Sequence, residues 1–274
     1  MENMKAVQVH NYGGPEVLRF EDAPRPTPAS GELLIRVYAA SVNAIDWKAR
    51  AGYVKDYISL PLPFIPGWDV SGIVEAVGSG VAKFKKGDEV HARPDGTRNG
   101  KGTHAEYVVV KETEAALKPK SIDHVRAAAI PVVALTAWQA LFDQAGLSKG
   151  QKILIHGAAG GVGSVAVHLA KWKGAHVIGA ASGHNQAFLR ELGADRLPVV
   201  GDCKARRCWQ TQTNSRNRAT TLRRPARPRT QRDGTRTGQD SPESRLRVNL
   251  MRVGRSGESR TTVHASVSEL RAPL

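Results

Sequence analysis

Residues 152–195 read KILIHGAAGGVGSVAVHLAKWKGAHVIGAASGHNQAFLRELGAD. Ile153-Leu154-Ile155 is a short apolar run of the kind that forms a buried parallel strand. Gly157, Gly160, Gly161 and Gly163 follow, and then Val162, Val165, Ala166 and Leu169 recur at helical spacing. A second β-rich run spans 175–179 and a second helical segment lies near 185–192. Strand, glycine turn, helix and strand together make the context in which glycines hold a dinucleotide. One glycine permits the tight turn, and another lets backbone amides approach a pyrophosphate. A small residue beyond them, Gly163 or Ala166, lets the helix lie close to the strand. Unpaired N–H groups and the positive end of the helix dipole then face the phosphates. The spacing is Gly-x-x-Gly-Gly-x-Gly rather than Gly-x-Gly-x-x-Gly, so the βαβ context carries the argument. The cofactor-binding set is Ala159, Gly160, Gly161, Val162 and Gly163.

The same stretch discriminates between nucleotides. An NAD site places Asp or Glu at the end of the second strand to accept from the ribose 2′-OH. Here that position reads Gly179-Ala180-Ala181-Ser182-Gly183-His184-Asn185, and no acid occurs between Gly163 and Glu191. A carboxylate would repel a 2′-phosphate, so the expected cofactor is NADP(H). Ser182 and Asn185 supply hydrogen-bond donors, and Lys171, Lys173 or Arg190 could add charge; the alternative is that all are ordinary turn and surface residues.

At 274 residues the chain is long enough for two domains with a substantial core. No 18-residue apolar run and no basic-then-apolar leader occur, so a soluble, cytoplasmic protein is expected. Residues 1–200 hold no cysteine, which removes any disulfide framework or thiolate metal site there. The net charge of +15 is unevenly spread. Residues 201–274 contain 16 Arg, 1 Lys and 6 acids, a net of +11, leaving +4 on the first 200 residues.

Taken in order, residues 1–120 read as β-rich, within a first domain of 1–122. Strands are expected at 4–10, 33–40, 73–77, 89–92 and 105–110, with a short helix over 43–51 ending at Gly52. Short strands at this spacing suggest a small β-barrel-like domain. Ser121 or Asp123 begins a change of texture, capping a helix through 127–130, and a second helix over 133–144 closes at Gly146. The nucleotide unit, counted with this bridge, occupies 123–200.

Further motifs bring a resemblance. They are Met4-Lys5-Ala6-Val7, Tyr12-Gly13-Gly14-Pro15-Glu16-Val17-Leu18, Ser41-Val42-Asn43-Ala44-Ile45-Asp46 and Pro66-Gly67-Trp68-Asp69-Val70-Ser71-Gly72. Gly87-Asp88-Glu89-Val90, Ala105-Glu106-Tyr107, Leu135-Thr136-Ala137-Trp138-Gln139-Ala140-Leu141, Ala158-Ala159-Gly160-Gly161-Val162-Gly163 and Leu192-Gly193-Ala194-Asp195 continue the series. From residue 4 to about 197 the chain resembles the zinc-independent medium-chain dehydrogenases/reductases of the quinone oxidoreductase (zeta-crystallin-like) family. The resemblance implies a GroES-like β domain followed by a Rossmann domain, a doubly wound parallel α/β sheet, with cofactor and substrate in the cleft between them. Zinc-dependent relatives carry a ligand Cys where this chain has Asn43 and a ligand His where it has Trp68, and the four-cysteine structural lobe is missing. Neither Asn nor Trp is a usual zinc ligand, so no metal site is expected.

Without a Lewis acid, the implied reaction is hydride delivery from NADPH to a quinone or to an alkene conjugated to a carbonyl. By resemblance, Asn43, Asp46, Tyr53, Trp68 and Asp69 line the substrate pocket, and Thr136 lies near the nicotinamide or its ribose. No catalytic acid or base stands out, since a reduced quinone can take protons from solvent. Each residue has a plainer reading. Asp46 could cap its helix or pair with Arg50, and Asp69 could be satisfied by the turn at Pro66-Gly67. Tyr53 could be a rim aromatic, Trp68 a core or wall residue, and Thr136 a back-bonder to its own helix.

After Leu197-Pro198-Val199-Val200 the resemblance stops. Leu, Ile, Val and Phe make up 9 of the 74 residues from 201, too few for a charged segment to fold readily. The Lys:Arg ratio turns from 14:9 to 1:16. This abrupt change reads as out-of-frame translation from near residue 196, leaving the Rossmann half incomplete and residues 201–274 a disordered, Arg-rich tail. Weak or absent NADPH binding and a doubtful family-type homodimer follow as expectations. The alternative is a non-catalytic binding protein whose tail contacts nucleic acid weakly; the tail has one aromatic, Trp209, and no recognition module, so no specific nucleic-acid partner is expected.

Overall fold

The computed structural model describes residues 2–95 and 100–198, and the backbone of two later strands, 248–253 and 262–265. The chain divides into two compact units, Met1–Thr136 and Ala137–Leu274.

In the first unit, β1 (Asn3–Val9) buries Met4, Ala6 and Val9 and pairs antiparallel along its whole length with β2 (Leu18–Pro24). β2 carries no sequence signal because backbone pairing, not apolar alternation, makes it: Phe20 is 74% exposed and Ala23 is its one buried side chain. The main sheet runs β6 (Tyr107–Lys111), β3 (Glu32–Ala40), β4 (Val70–Val77), β5 (Glu89–Ala92) and β7 (Ala115–Leu117), all antiparallel. Leu33, Ile35, Val70, Val74, Val90, Val108 and Val110 form its core. The barrel-like expectation thus becomes a five-stranded sheet and a hairpin, tied by the bridge Ala6↔Ala105.

Helix α1 (Ala44–Arg50) follows β3. Helix α2 (His124–Ala128) is capped by Asp123, which accepts from the Arg126 N–H at 2.8 Å, so Asp123 and not Ser121 starts it. Helix α3 (Pro131–Trp138) opens on a proline, suited to a first turn that has no use for its N–H. The expected single helix over 133–144 divides: after Trp138 the turns widen into a π-helical segment, Gln139–Gln144.

The second unit holds β8 (Lys152–His156) and β9 (His176–Ala180) in parallel register, linked by α4 (Gly161–Trp172). Ile153, Ile155, Ala166, Val167, Ala170, Val177 and Leu189 form one core, with Leu189 supplied by α5 (Gln186–Glu191). A parallel bridge between Ile178 and Arg196 begins a further strand position beside β9. On the other side of β8 lies β10 (Val248–Val253), antiparallel, and next to it β11 (Thr262–Ala265). These six and four residues are the part of 201–274 that the structure describes. The N–H and C=O groups on that side of β8 take a strand partner, and antiparallel pairing meets the need without a crossover. The readings for the remainder of 201–274 concern residues outside those described.

Candidate active site

The polar centre of the first unit is built around a carboxylate with no solvent exposure, Asp69. It stands immediately before β4, after the Pro66-Gly67 turn. Ser41 Oγ donates to Asp69 Oδ2 at 2.5 Å, and Asn43 Nδ2 donates to the same oxygen at 2.8 Å. Asn43 Nδ2 also donates to Ser41 Oγ at 3.0 Å, closing a three-residue ring. The other oxygen, Oδ1, accepts from the Val132 backbone N–H at 2.7 Å. That amide belongs to the first turn of α3 and has no partner in its own helix, so Asp69 caps a helix distant in sequence. Burial pushes the Asp69 carboxyl up from its ordinary value, against the hydrogen bonds from Ser41, Asn43 and Val132 and the attraction of Arg93. The Pro66-Gly67 turn is not what satisfies it.

Asp46 lies one turn into α1 and is 5% exposed. Its Oδ2 accepts from the Asn43 N–H at 2.5 Å, the reach-back half of a capping box. Asn43 makes no side-chain hydrogen bond to the first turn of α1, and its Nδ2 is engaged with Ser41 and Asp69. Burial raises the Asp46 carboxyl, opposed by the Asn43 amide, His104 and the Gly67 amide, and reinforced by repulsion from Asp69. Asp46 does not pair with Arg50, whose Nε donates to the Gly13 carbonyl at 3.3 Å. His104 Nε2 donates to the Ser41 carbonyl at 3.1 Å and steadies the same loop.

The other expected pocket residues separate by burial. Trp68 is 4% exposed and packs with Val9, Ala49, Leu60 and Phe64 in an apolar cluster. Tyr53 is exposed, its ring edge-on to Trp47 with centroids 5.8 Å apart. Thr136 is buried, and its Oγ1 donates to the Val132 carbonyl at 2.6 Å, the back-bond open to a helical threonine. Sequence reading assigned no role to Ser41, His104 or the Val132 amide. Of these, Ser41 carried a signal, since a side chain two positions before Asn43 in extended chain falls on the same side. A second polar line joins Ser71, His124 and Glu89, with Ser71 Oγ 2.8 Å from His124 Nδ1 and His124 Nε2 3.3 Å from Glu89. Ser71 is fully buried and its Oγ donates to the Val90 carbonyl, so this line pins α2 to the sheet and offers no nucleophile.

The glycine turn of the second unit is equally specific. Gly157 has φ +63°, a left-handed conformation that favours glycine, and the Gly160 N–H donates to its carbonyl at 2.9 Å. The bond from Ser164 N–H to the Gly160 carbonyl is the first of α4, which leaves the amides of Gly161, Val162 and Gly163 without partners in the helix. Gly163 is the close-packing glycine: a Cβ there would stand 2.2 Å from the Gly157 oxygen and 2.8 Å from Ala158 Cα. Ala159 and Val162 pack half-buried against the core below. Three open amides over a backbone too close for a side chain fit a bound phosphate. At the end of β9, Asn185 Nδ2 donates to Ser182 Oγ at 2.9 Å, and His184 Nε2 lies within 3.3 Å of the serine. Lys171 is engaged elsewhere, 2.9 Å from both oxygens of Asp195.

Comparison with known proteins shows what the chain is similar to. Residues 29–120 match the alcohol dehydrogenase GroES-like domain. A chloroplast envelope quinone oxidoreductase homolog of Arabidopsis thaliana is 40% identical over 200 residues, which are 71% of this chain and 60% of that protein. The chain belongs to the quinone oxidoreductase (zeta-crystallin-like) family of medium-chain dehydrogenases/reductases. Within this family, 2-methylene-furan-3-one reductase of Solanum lycopersicum is 42% identical over 204 residues, covering 70% of this chain and 51% of its own. A solved structure of an NAD-dependent alcohol dehydrogenase superimposes with a TM-score of 0.69 at 36% identity, over 77% of this chain and 68% of that one. The chain therefore spans about half to three-fifths of the curated quinone oxidoreductase relatives it matches.

Proposed function

We propose that this chain is an NADP-dependent oxidoreductase that reduces a quinone or a conjugated enone without a metal ion. The observation that carries the reading is the glycine turn, with the amides of Gly161, Val162 and Gly163 unpartnered in their helix, followed after β9 by Ser182 and Asn185 and no carboxylate. The amides take a pyrophosphate, and Ser182 and Asn185 donate to the 2′-phosphate that a carboxylate would repel. When bound, the reduced nicotinamide supplies a hydride, so that NADPH, a quinone and one proton give NADP⁺ and a hydroquinone.

The residues of the first unit bind and orient. Asn43, held by Ser41 and Asp69, is the polar contact for the reacting partners, and exposed Tyr53 forms an aromatic rim. Trp68 stands where zinc-dependent relatives have a ligand, but its indole is committed to an apolar cluster, which supports a metal-free reaction. Asp46 and Asp69 shape the loop from within, and Thr136 marks the last turn of α3 in this unit. The resemblance ends after about residue 197, so we read the cofactor site as weakened. The cytoplasm is the proposed location, in keeping with a cysteine-free body, and is checked by cell fractionation.

NADPH consumption with a panel of small quinones and enones tests the reading. We expect slow, acceptor-dependent oxidation that prefers NADPH to NADH and survives EDTA. Loss of activity on chelation, or preference for NADH, would overturn the metal-free or the NADP part. No acceptor in the panel accelerating NADPH consumption would overturn the activity of this chain as such.

A further inference from the structure

The ring of Ser41, Asn43 and Asp69 determines which end of the Asn43 amide the site can use. A side-chain amide has two donor protons on nitrogen and one acceptor oxygen. Asn43 Nδ2 lies 2.8 Å from Asp69 Oδ2 and 3.0 Å from Ser41 Oγ, so both of its protons point inward. Neither partner can be satisfied by the amide oxygen instead. Asp69 already receives the Ser41 hydroxyl on Oδ2 and the Val132 N–H on Oδ1, and an ionised carboxylate only accepts. The Ser41 hydroxyl has given its one proton to Asp69, so toward Asn43 it too is an acceptor. Two acceptors meet the two amide protons, and the oxygen Oδ1 faces away from them. Exchanging nitrogen and oxygen would set an oxygen against two oxygens, a buried repulsion beside a side chain with no exposure.

We propose that Asp69 is a positioning residue that turns Asn43 so its outward group is a hydrogen-bond acceptor, selecting a hydroxyl donor on the ligand. This rests on the reading of Asn43 as the polar contact for the reacting partners. Asn43 does not polarise the carbonyl of a quinone or enone, since it has no proton left to give. It accepts instead from a hydroxyl, and two ligands carry one: the reduced quinone, whose oxygens become O–H groups, and the ribose of the nicotinamide nucleoside. In the first case Asn43 favours the product side of the reaction; in the second it anchors the cofactor.

Asp69→Asn tests the assignment because it keeps the shape and reverses the polarity. The oxygen of the new amide stays with the Val132 N–H, and its nitrogen faces Ser41 and Asn43. Asn43 then turns its oxygen inward and presents its NH₂ outward. Two measurements read this, the first needing no turnover. In ¹⁵N-asparagine-labelled protein, the Asn43 side-chain NH₂ protons exchange with water slowly in the parent chain and at least ~10-fold faster in Asp69→Asn. Fast exchange already in the parent chain would overturn the orientation, whatever the enzyme reduces. The second is the inhibition constant of hydroquinone beside the dissociation constant of NADPH, each expected to weaken ~10-fold only if its hydroxyl is the donor. A shift in hydroquinone alone assigns the reduced acceptor, and a shift in NADPH alone assigns the ribose. No shift in either, with the exchange result as expected, would overturn the selectivity while leaving the orientation. Ser41→Ala serves as the packing control: Asp69 still holds one amide proton, so the oxygen stays outward and both constants move less than in Asp69→Asn.

Discussion

Lys171 Nζ lies 2.9 Å from each carboxylate oxygen of Asp195, and Asp195 Oδ2 also accepts the Val177 N–H at 2.7 Å. One acidic side chain thus ties α4, β9 and the segment that enters the next strand position beside β9. Burial pushes the Asp195 carboxyl up, but the hydrogen bonds from Lys171 and Val177 and the charges of Lys171 and His176 together hold it below 3.8. The pair is partly exposed, so its contribution is screened, and Lys171→Ala is expected to cost about 0.5 kcal/mol. A folded-state value below the unfolded one stabilises above pH 3.8, and that advantage fades as pH falls through the folded value. Melting curves of parent and Asp195→Asn chains should therefore converge in acid. A gap that stays constant down to strong acid would remove the ion pair as its cause.

Asp46 has the opposite sign. Its carboxyl is raised by burial, which disfavours the charged form, so stability falls as pH rises from 3.8 through the folded value. Asp46→Asn keeps an oxygen for the Asn43 N–H and carries no charge to bury. The variant should melt higher than the parent at neutral pH, with the difference closing below pH 3.8. A lower melting point at every pH would show that the charge itself is needed.

Gly163 and Gly160 should respond differently to alanine. At Gly163 the new Cβ meets backbone atoms that cannot give way, at 2.2 and 2.8 Å, and a loss of about 1–3 kcal/mol is expected. The thermal shift on adding NADPH should disappear with it. At Gly160 the nearest atom, the Gly157 oxygen, is 3.3 Å away and φ is −78°, so alanine should cost less than at Gly163. Differential scanning fluorimetry with and without NADPH compares the two, and equal losses would contradict the packing argument.

Trp68 and Tyr53 separate structure from rim. Trp68→Ala empties a buried site among Val9, Ala49, Leu60 and Phe64 and should cost about 3–5 kcal/mol in urea unfolding. Tyr53 is 60% exposed, so Tyr53→Ala should change stability by less than about 1 kcal/mol while raising the KM for a quinone. A large loss of stability at Tyr53 would mean that it packs rather than binds.

Much of this protein was legible from residue order alone. The run Ile153-Leu154-Ile155, the glycines after it and the helical spacing from Val162 to Leu169 sufficed for the βαβ unit, because strand, turn and helix there are local patterns. The same holds for the glycine set and for the lack of an acid after β9. Strand β2 was not legible, since most of its side chains face solvent and its hydrogen bonds with β1 cross the turn between them. Nor were the choice between Gly163 and Ala166 as the close-packing residue, the division of the 133–144 helix, or β10 entering the sheet antiparallel. Most of all, tertiary structure decided the role of the buried Asp69, whereas the capping role of Asp46 is local. Nothing in the order of residues brings Ser41, Asn43, Asp69 and Val132 together; the sheet does, by placing the end of β3 beside the start of β4. A hydrogen bond needs its atoms within about 3 Å, and that proximity is created only when the strands pair.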